Sequence, residues 1–353
     1  MRAADLKFLT ALIDAPSPSG YEQPAAAVFR EWVGKHADSV ATDVMGSVHA
    51  TLTGSDGGPS VMLAGHVDEI GFMVNYVTAE GYLAFASIGG VDAAVLPGMR
   101  VRVHTAKGAL LGVIGRMPIH LLDEDDRKSV TKMHKLFIDL GLPAADVKKR
   151  VRVGDPVTLA VGLETFGSGM AVSRGFDDKV GAFVCARVLA EVKKAGGAKG
   201  DLVAAATVQE EIGLRGGHTS AYAIDPVVGI AVEVTHATDY PDVDKRRHGE
   251  VECGKGPVVT RGANINPKVF DLLCAAAKRA KVPFQVEGEP RGTGTDANVI
   301  QLTKAGKAAG LVSIPLRYMH TPTEVLALAD VEHAVALLTR FVLDLKAGTD
   351  FTP

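Results

Sequence analysis

The stretch SVMLAGHVDE, residues 60–69, decides the fold. Its first six residues form a continuous run of small and apolar side chains with little alternation. Such a run is typical of a strand buried on both faces, as in a parallel sheet that is covered by helices. The polar tetrapeptide HVDE begins where that strand would end. The stretch therefore predicts a buried strand with chemically active side chains at its carboxyl end.

The α/β pattern returns in the second half of the chain. Residues 201–208 and 227–234 have the composition of buried strands, whereas residues 178–194, 267–281 and 330–346 are typical of helices. Asp330 is the predicted N-cap of the last helix.

The middle of the chain differs from both ends. Between about residues 71 and 163, short strand-like runs alternate with Gly, Pro or charged turns, which is an all-β pattern. A helical stretch is predicted within its polar segment, residues 119–142. We therefore expect an α/β fold with a mixed sheet covered by helices, formed by residues 1–68 and 166–353, and an inserted β-rich domain at residues 69–165.

Composition excludes several classes of function. The 353 residues suit about two domains, and 47% hydrophobic and 22% charged residues are typical of a globular protein. The net charge of -3 comes without a clustered basic patch, so nucleic-acid binding is not expected. No apolar run reaches the ~18 residues of a membrane span and no signal core precedes a cleavage site. We therefore expect a cytoplasmic protein without membrane contact.

Candidate metal ligands recur at the ends of predicted buried strands. His66 with Asp68, the pair Glu210–Glu211, Glu233 and His320 lie there, and the pair Asp177–Asp178 begins a helix. In open α/β sheets, ligands bind in the crevice at the carboxyl ends of the strands. Two His and several carboxylates suit zinc, cobalt or manganese. A shared carboxylate can hold two such ions about 3.5–4 Å apart.

Each of these residues also has an ordinary structural explanation. A single His after a strand is more often hydrogen-bonded than a metal ligand, and the pair Asp177–Asp178 could cap its helix. Glu233 is harder to explain in this way, because an unpaired carboxylate within an apolar strand is costly. Five sites in matching topological positions together favour a metal centre.

Six motifs resemble those of one known family, the glutamyl-aminopeptidase and deblocking-aminopeptidase family within the clan of co-catalytic zinc exopeptidases. They follow one another in order along nearly the whole chain: AGHVDEIGFMV (64–74), FDDKVG (176–181), VQEEIGLRGG (208–217), VEVTHATDYP (232–241), GTGTDA (292–297) and RYMHTPTE (317–324).

The resemblance implies a site with two divalent metal ions, zinc first and cobalt or manganese as alternatives. Asp177 would bridge the two ions, and the peptide bond to Asp178 is expected to be cis. One ion would be completed by His66 and Glu233, and the other by Glu211 and His320. Glu233 stands where many members of the family carry Asp.

Further roles also come from the resemblance. Glu210 would be the general base and Asp68 would orient His66. Substrate contacts are assigned to Gly294, Thr295 and Asp296.

The resemblance further implies hydrolysis of the first residue of short peptides. It also implies that residues 69–165 mediate dimer formation, with the dimers forming a tetrahedral dodecamer. Three alternatives stay open: a related two-metal deacylase or carboxypeptidase, a cellulase-like glycoside hydrolase that uses paired carboxylates, and a self-assembling metal-binding shell without catalysis.

Overall fold

A computed structural model of the chain describes residues 1–353, apart from the side chain of Asp126. Its strands are, in chain order, β1 (Ser39–Thr42), β2 (Val48–Leu52), β3 (Val61–His66), β4 (Gly71–Val77), β5 (Leu83–Ile88), β6 (Arg100–Thr105), β7 (Gly108–Gly115), β8 (Phe137–Asp139), β9 (Pro156–Leu159), β10 (Glu164–Phe166), β11 (Met170–Ser173), β12 (Leu202–Thr207), β13 (Val228–His236), β14 (Val258–Gly262), β15 (Gln285–Glu289), β16 (Ala308–Leu316) and β17 (Glu324–Ala327).

Its helices are α1 (Ala3–Asp14), α2 (Gln23–Val33), α3 (Glu124–Arg127), α4 (Ala144–Arg150), α5 (Phe176–Lys194), α6 (Arg215–Ile224), α7 (Lys245–His248), α8 (Pro267–Ala280), α9 (Asp296–Gln301) and α10 (Leu328–Asp344).

The main sheet has eight strands in the order β1-β2-β12-β3-β13-β16-β14-β15. The four central strands, β12, β3, β13 and β16, are parallel, and antiparallel pairing joins them to the outer strands on both sides. Strands β10, β11 and β17 form a small antiparallel sheet. The predicted mixed sheet covered by helices is therefore confirmed.

Strand β3 is buried along its whole length, as its composition predicts. Val61 and Leu63 belong to the larger core, which packs against α1, α2, α5, α8 and α10. Met62 and Ala64 point to the other face, where they join a smaller core with residues of α6 and α9. Helices on both faces explain why this strand has no alternation of polar and apolar residues.

Helix α5 lies unusually close to the sheet because glycines, which have no side chain, form the contact between them. A Cβ atom on Gly181 would lie 2.0 Å from the carbonyl oxygen of Val232, and one on Gly65 would lie 2.3 Å from the amide nitrogen of Ala182. No other residue type fits at such distances. The first turn of α5 is thereby held beside the strand positions that carry His66 and Glu233.

The middle of the chain folds into a closed antiparallel barrel with the strand order β4-β5-β8-β7-β6-β9. Its apolar core is separate from the cores around the main sheet and includes Phe72, Phe85, Val101 and Ile138. The prediction of a helical stretch in residues 119–142 is mostly wrong, because α3 is only four residues long and the strand β8 follows it. Ile138 is fully buried in the barrel, so packing overrides the polar, helix-like local sequence.

The prediction that Asp330 caps α10 is also wrong. The helix begins at Leu328, with Ala327 at the N-cap. The carboxylate of Asp330 instead accepts hydrogen bonds from the backbone amides of Gly254 (2.6 Å) and Gly256 (2.7 Å). These bonds fasten a neighbouring loop to the helix.

No helix in the described part of the chain has both the length and the apolar character that crossing a membrane requires.

Candidate metal centre

The polar side chains singled out from the sequence meet at one edge of the main sheet. Strand β3 ends at His66, the turn after β12 carries Glu210 and Glu211, β13 carries Glu233, and a turn after β16 carries His320. Because the four strands are parallel neighbours, their carboxyl ends lie side by side. All five residues line a cavity of about 270 Å³.

Asp177, in the first turn of α5, lies between the two histidines. Its Oδ1 is 3.2 Å from Nε2 of His66, and its Oδ2 is 3.1 Å from Nε2 of His320. The peptide bond between Asp177 and Asp178 is cis, which confirms that prediction. Each oxygen of one carboxylate therefore faces a different imidazole.

Two groups of donor atoms result. The inner half-site consists of His66, Glu233 and Oδ1 of Asp177, with 3.7 Å between His66 Nε2 and Glu233 Oε2. The outer half-site consists of His320, Glu211 and Oδ2 of Asp177, with 3.3 Å between His320 Nε2 and Glu211 Oε1. The side chain of His66 is 1% exposed and that of His320 is 34% exposed.

The donor atoms fit divalent metal ions. Two ligand atoms, each about 2.0–2.1 Å from a tetrahedral zinc ion, lie about 3.3 Å apart, close to the observed separations. The Oε1 atom of Glu211 is buried and accepts no hydrogen bond from the residues that the structure describes. Donor atoms of His66, Asp177 and Glu211 lie within 4.8 Å of one another, as do those of His66, Asp178 and Glu233. Imidazole and carboxylate ligands suit zinc, cobalt and manganese.

The charges of the cavity also call for a cation. Burial raises the pKa of Glu233, and the carboxylate of Asp178 raises it further. Burial likewise raises the pKa of Glu210 to about 8, although His66 opposes the shift. Burial alone would lower the pKa of His66, but the carboxylates of Glu210 and Asp68 hold it well above its ordinary value. The positively charged groups of the protein therefore do not balance the negative charge of these carboxylates, and a bound cation would do so.

Backbone carbonyls orient both imidazoles. His66 Nδ1 lies 3.0 Å from the carbonyl oxygen of Asp68, whose carboxylate Oδ1 is 3.5 Å away. His320 Nδ1 lies 2.8 Å from the carbonyl oxygen of Gly90, in the barrel loop between β5 and β6. A carbonyl oxygen can only accept, so each Nδ1 carries a proton, and each Nε2 faces the cavity, where it would bind a metal ion once it has lost its own proton.

Glu324 is a residue of the site to which sequence reasoning gave no role. Its carboxylate accepts hydrogen bonds from the backbone amides of Asp177 (3.3 Å, Oε2) and His320 (3.0 Å, Oε1), and burial raises its pKa well above the usual range. It therefore connects the bridging Asp to the outer His. The available signal was an acidic residue that opens an otherwise apolar run in RYMHTPTEVLALA, residues 317–329.

The residues assigned to substrate contacts divide into two groups. Gly294 and Thr295 line the cavity, together with Leu214, Val234 and Met319. Asp296 is fully buried, and its Oδ2 accepts a hydrogen bond from the hydroxyl of Thr207 (2.7 Å). Its backbone amide donates to Glu233 Oε1 (3.3 Å), so Asp296 contacts a candidate ligand.

Comparison with known proteins gives a consistent result. The sequence profile of a family described as M42 glutamyl aminopeptidase matches residues 46–337. The chain is 36% identical over 353 residues to a lysyl aminopeptidase of Pyrococcus furiosus, with 99% of each chain covered.

Solved structures agree. A TET aminopeptidase from a marine sediment archaeon of the Thaumarchaeota superimposes with a TM-score of 0.92, at 34% identity and 97% coverage of each chain. The TET1 peptidase of Pyrococcus horikoshii, described as able to assemble into a tetrahedron or a large octahedral shell, superimposes with a TM-score of 0.86. That match has 27% identity and covers 97% of this chain and 100% of the other.

Proposed function

The chain belongs to the M42 glutamyl aminopeptidase family and is a metallo-aminopeptidase, and from this premise we propose that it uses two divalent metal ions to remove the first residue of short peptides. One observation carries the proposal: the two oxygens of Asp177 face His66 on one side and His320 on the other. A carboxylate in that position is suited to bridge two ions.

The half-sites supply the remaining ligands. His66 and Glu233 would hold the inner ion, and Glu211 and His320 the outer ion. We propose zinc as the metal, with cobalt or manganese able to use the same donors. When bound, the two ions would polarise the scissile carbonyl and lower the pKa of a water molecule between them.

Glu210 is the proposed general base. It lines the cavity, and its Oε2 lies 3.7 Å from Nε2 of His66, so its carboxylate faces the inner half-site. Adjacent Glu residues would have different roles: Glu211 would bind metal, while Glu210, whose raised pKa the bound cations would lower, would take a proton from the attacking water. Glu210 then passes this proton to the leaving amine.

The cavity also favours a substrate with a free α-amine. The site with two ions would help to hold the free α-amine of the substrate, and the apolar wall of the cavity includes Leu214, Val234 and Met319. A cavity of about 270 Å³ suits one residue at a time. Gly294 and Thr295 would contact the backbone of that residue.

We propose the barrel region, residues 69–165, as a dimerisation domain and residues 1–68 and 166–353 as the catalytic domain. Apolar side chains on β7 and on the segment between β7 and β8 are 44–71% exposed, namely Leu111, Val113, Met117, Ile119 and Leu121. Such exposure is typical of an interface. The tetrahedral shell described for the TET1 peptidase favours a homo-oligomer built from such dimers. Light scattering of the purified protein measures the size of the assembly.

One assay tests the proposed reaction. Aminoacyl chromogenic amides and short peptides are offered with free and with acetylated amino termini, before and after chelation and re-addition of zinc or cobalt. We expect release of the first residue only from free amino termini and only with metal. Cleavage that ignores both acetylation and chelator would overturn the two-metal aminopeptidase, and no cleavage of any of these substrates would favour the glycosidase or shell alternatives.

A further inference from the structure

Three consecutive backbone amides after β12 are held by carboxylates from elsewhere in the chain. The amide of Gln209 donates to Glu22 Oε1 (3.1 Å). The amide of Glu210 donates to Asp68 Oδ1 (3.0 Å), and that of Glu211 donates to Asp68 Oδ2 (3.1 Å). The segment that carries the proposed base and a proposed ligand is therefore fixed, residue by residue, from outside.

The conformation of this segment needs such support. Gln209 has a φ of 57°, in the left-handed region that residues other than glycine rarely adopt. The backbone position of Gln209 determines where the next residue points its side chain. A turn with such a φ persists only when its surroundings hold it.

The support comes from the loop between α1 and α2. Ser19 donates its hydroxyl proton to Asp68 Oδ2 (2.7 Å), and Gly20 donates its amide proton to Glu22 Oε1 (2.7 Å). Ser19 is 4% exposed and Glu22 is 2% exposed. The Oε1 atom of Glu22 thus ties its own loop to Gln209, and the Ser19 hydroxyl fixes the carboxylate that holds Glu210 and Glu211.

Burying the carboxyl group of Glu22 costs free energy, which indicates that the hydrogen bonds it accepts have a structural role. In the described part of the chain, no Lys, Arg or His forms an ion pair with it. Burial raises the pKa of its carboxyl to about 7, against the hydrogen bonds from the amides of Gly20 and Gln209. A buried carboxyl whose Oε1 accepts from two backbone amides acts here as a structural acceptor.

We infer that Ser19 and Glu22 are positioning residues of the hydrolytic reaction, which act by holding the turn Gln209–Glu211 against the metal centre. The inference rests on the proposed role of Glu210. Neither residue touches the cavity, so each acts through the turn. Their loss would displace the carboxylate of Glu210 without removing it, and small displacements of a reacting group reduce turnover strongly.

The test compares Glu22→Ala, Glu22→Gln and Ser19→Ala with the control Glu31→Ala, whose side chain is exposed on α2. We expect Glu22→Ala to lower kcat about 10–100-fold, with KM changed less than about threefold and with unchanged metal content. Gln retains a carbonyl oxygen as the acceptor, so Glu22→Gln should restore most of kcat. Ser19→Ala should lower kcat by less than Glu22→Ala, because Asp68 keeps its bonds to the two amides.

A second readout does not depend on activity. Hydrogen exchange of the amides of Gln209, Glu210 and Glu211 should be faster in Glu22→Ala than in the control. Exchange and kcat both equal to the control would overturn the inference. A Glu22→Gln variant as defective as Glu22→Ala would also overturn it, because the charge rather than the acceptor would then matter.

Two further outcomes are distinguishable. If Glu22→Ala does not fold, Ser19→Ala decides, and unchanged kcat and exchange in that variant contradict the inference. If Glu210→Gln keeps full turnover, the proposed role of Glu210 as general base itself fails. If Glu210→Gln is inactive while Glu22→Ala matches the control, only the positioning role is lost.

Discussion

The inner and outer half-sites contain the same chemical groups in different settings. His66 ends a strand that is buried along its whole length, and Glu233 lies in the buried part of β13. His320 lies in a turn with a φ of 61°, and its side chain is one-third exposed. Regular structure supports the inner half-site. Individual hydrogen bonds that His320 donates to Glu324 and Gly90 support the outer one.

This difference implies that the two proposed ions are held with different firmness. A donor set on core strands is held in place by the packing of the sheet, so it should retain its ion firmly. A donor set on a turn depends on a few contacts that solvent can reach. We therefore expect the outer ion to exchange with solvent faster than the inner ion.

The largest effect is expected from Glu210→Gln, which tests whether this side chain belongs to either half-site. A general base contributes about 10²–10⁴-fold to the rate, so kcat should fall by about that factor while both ions remain. Glu31→Gln, in an exposed position, is the control. Metal analysis decides: an ion lost from Glu210→Gln would make Glu210 a ligand and would redraw the inner half-site.

Replacing each histidine tests the comparison directly. We expect His320→Ala to keep the inner ion and lose the outer one, leaving about one ion per subunit where the wild type holds two. His66→Ala should lose the inner ion and lower the melting temperature further, because it leaves the buried carboxylates of Asp177 and Glu233 without their neighbour. Elemental analysis and thermal unfolding measure both. Equal metal content and equal melting temperatures in the two variants would remove the distinction.

The smallest effect is expected from Gly90→Ala in the barrel. The added Cβ would lie 3.2 Å from His320 Nδ1, so either the imidazole or the loop must shift. Because outer contacts of a metal ligand typically matter about 10–100-fold, we expect about 10-fold weaker binding of the outer ion and no change at the inner one. Gly288→Ala, where a Cβ meets open space, is the control. Metal titration of the apoprotein gives both affinities.

The sequence predicted the parts of this molecule that depend on local composition. Apolar runs identified β3, β12 and β13, and the polar residues at their ends pointed to one edge of the sheet. The resemblance added the cis bond at Asp177, which the structure confirms, and a pairing of metal ligands, which stays a prediction.

The features that the sequence did not predict depend on contacts between residues that are far apart in the chain. Gly90 and His320 are 230 residues apart, and the loop with Ser19 and Glu22 is far in sequence from the turn it supports. Neither contact leaves a periodic pattern in the chain. The polar residues before β8 have the local pattern of a helix, but the burial of Ile138 in the barrel core favours a strand there. Asp330 has the local pattern of an N-cap, but its carboxylate binds the distant amides of Gly254 and Gly256.

The interrupted α/β sheet has a consequence for biosynthesis. All strand partners of the barrel lie between Gly71 and Leu159, so this unit can pair its strands while later residues are still being translated. The strand partners of β3 begin only with β12 at Leu202, and His320 is translated later still. Long-range pairing of this kind is slow. The nascent chain therefore exposes an unfinished apolar sheet before the candidate metal centre is complete, and co-translational chaperones can bind in that interval.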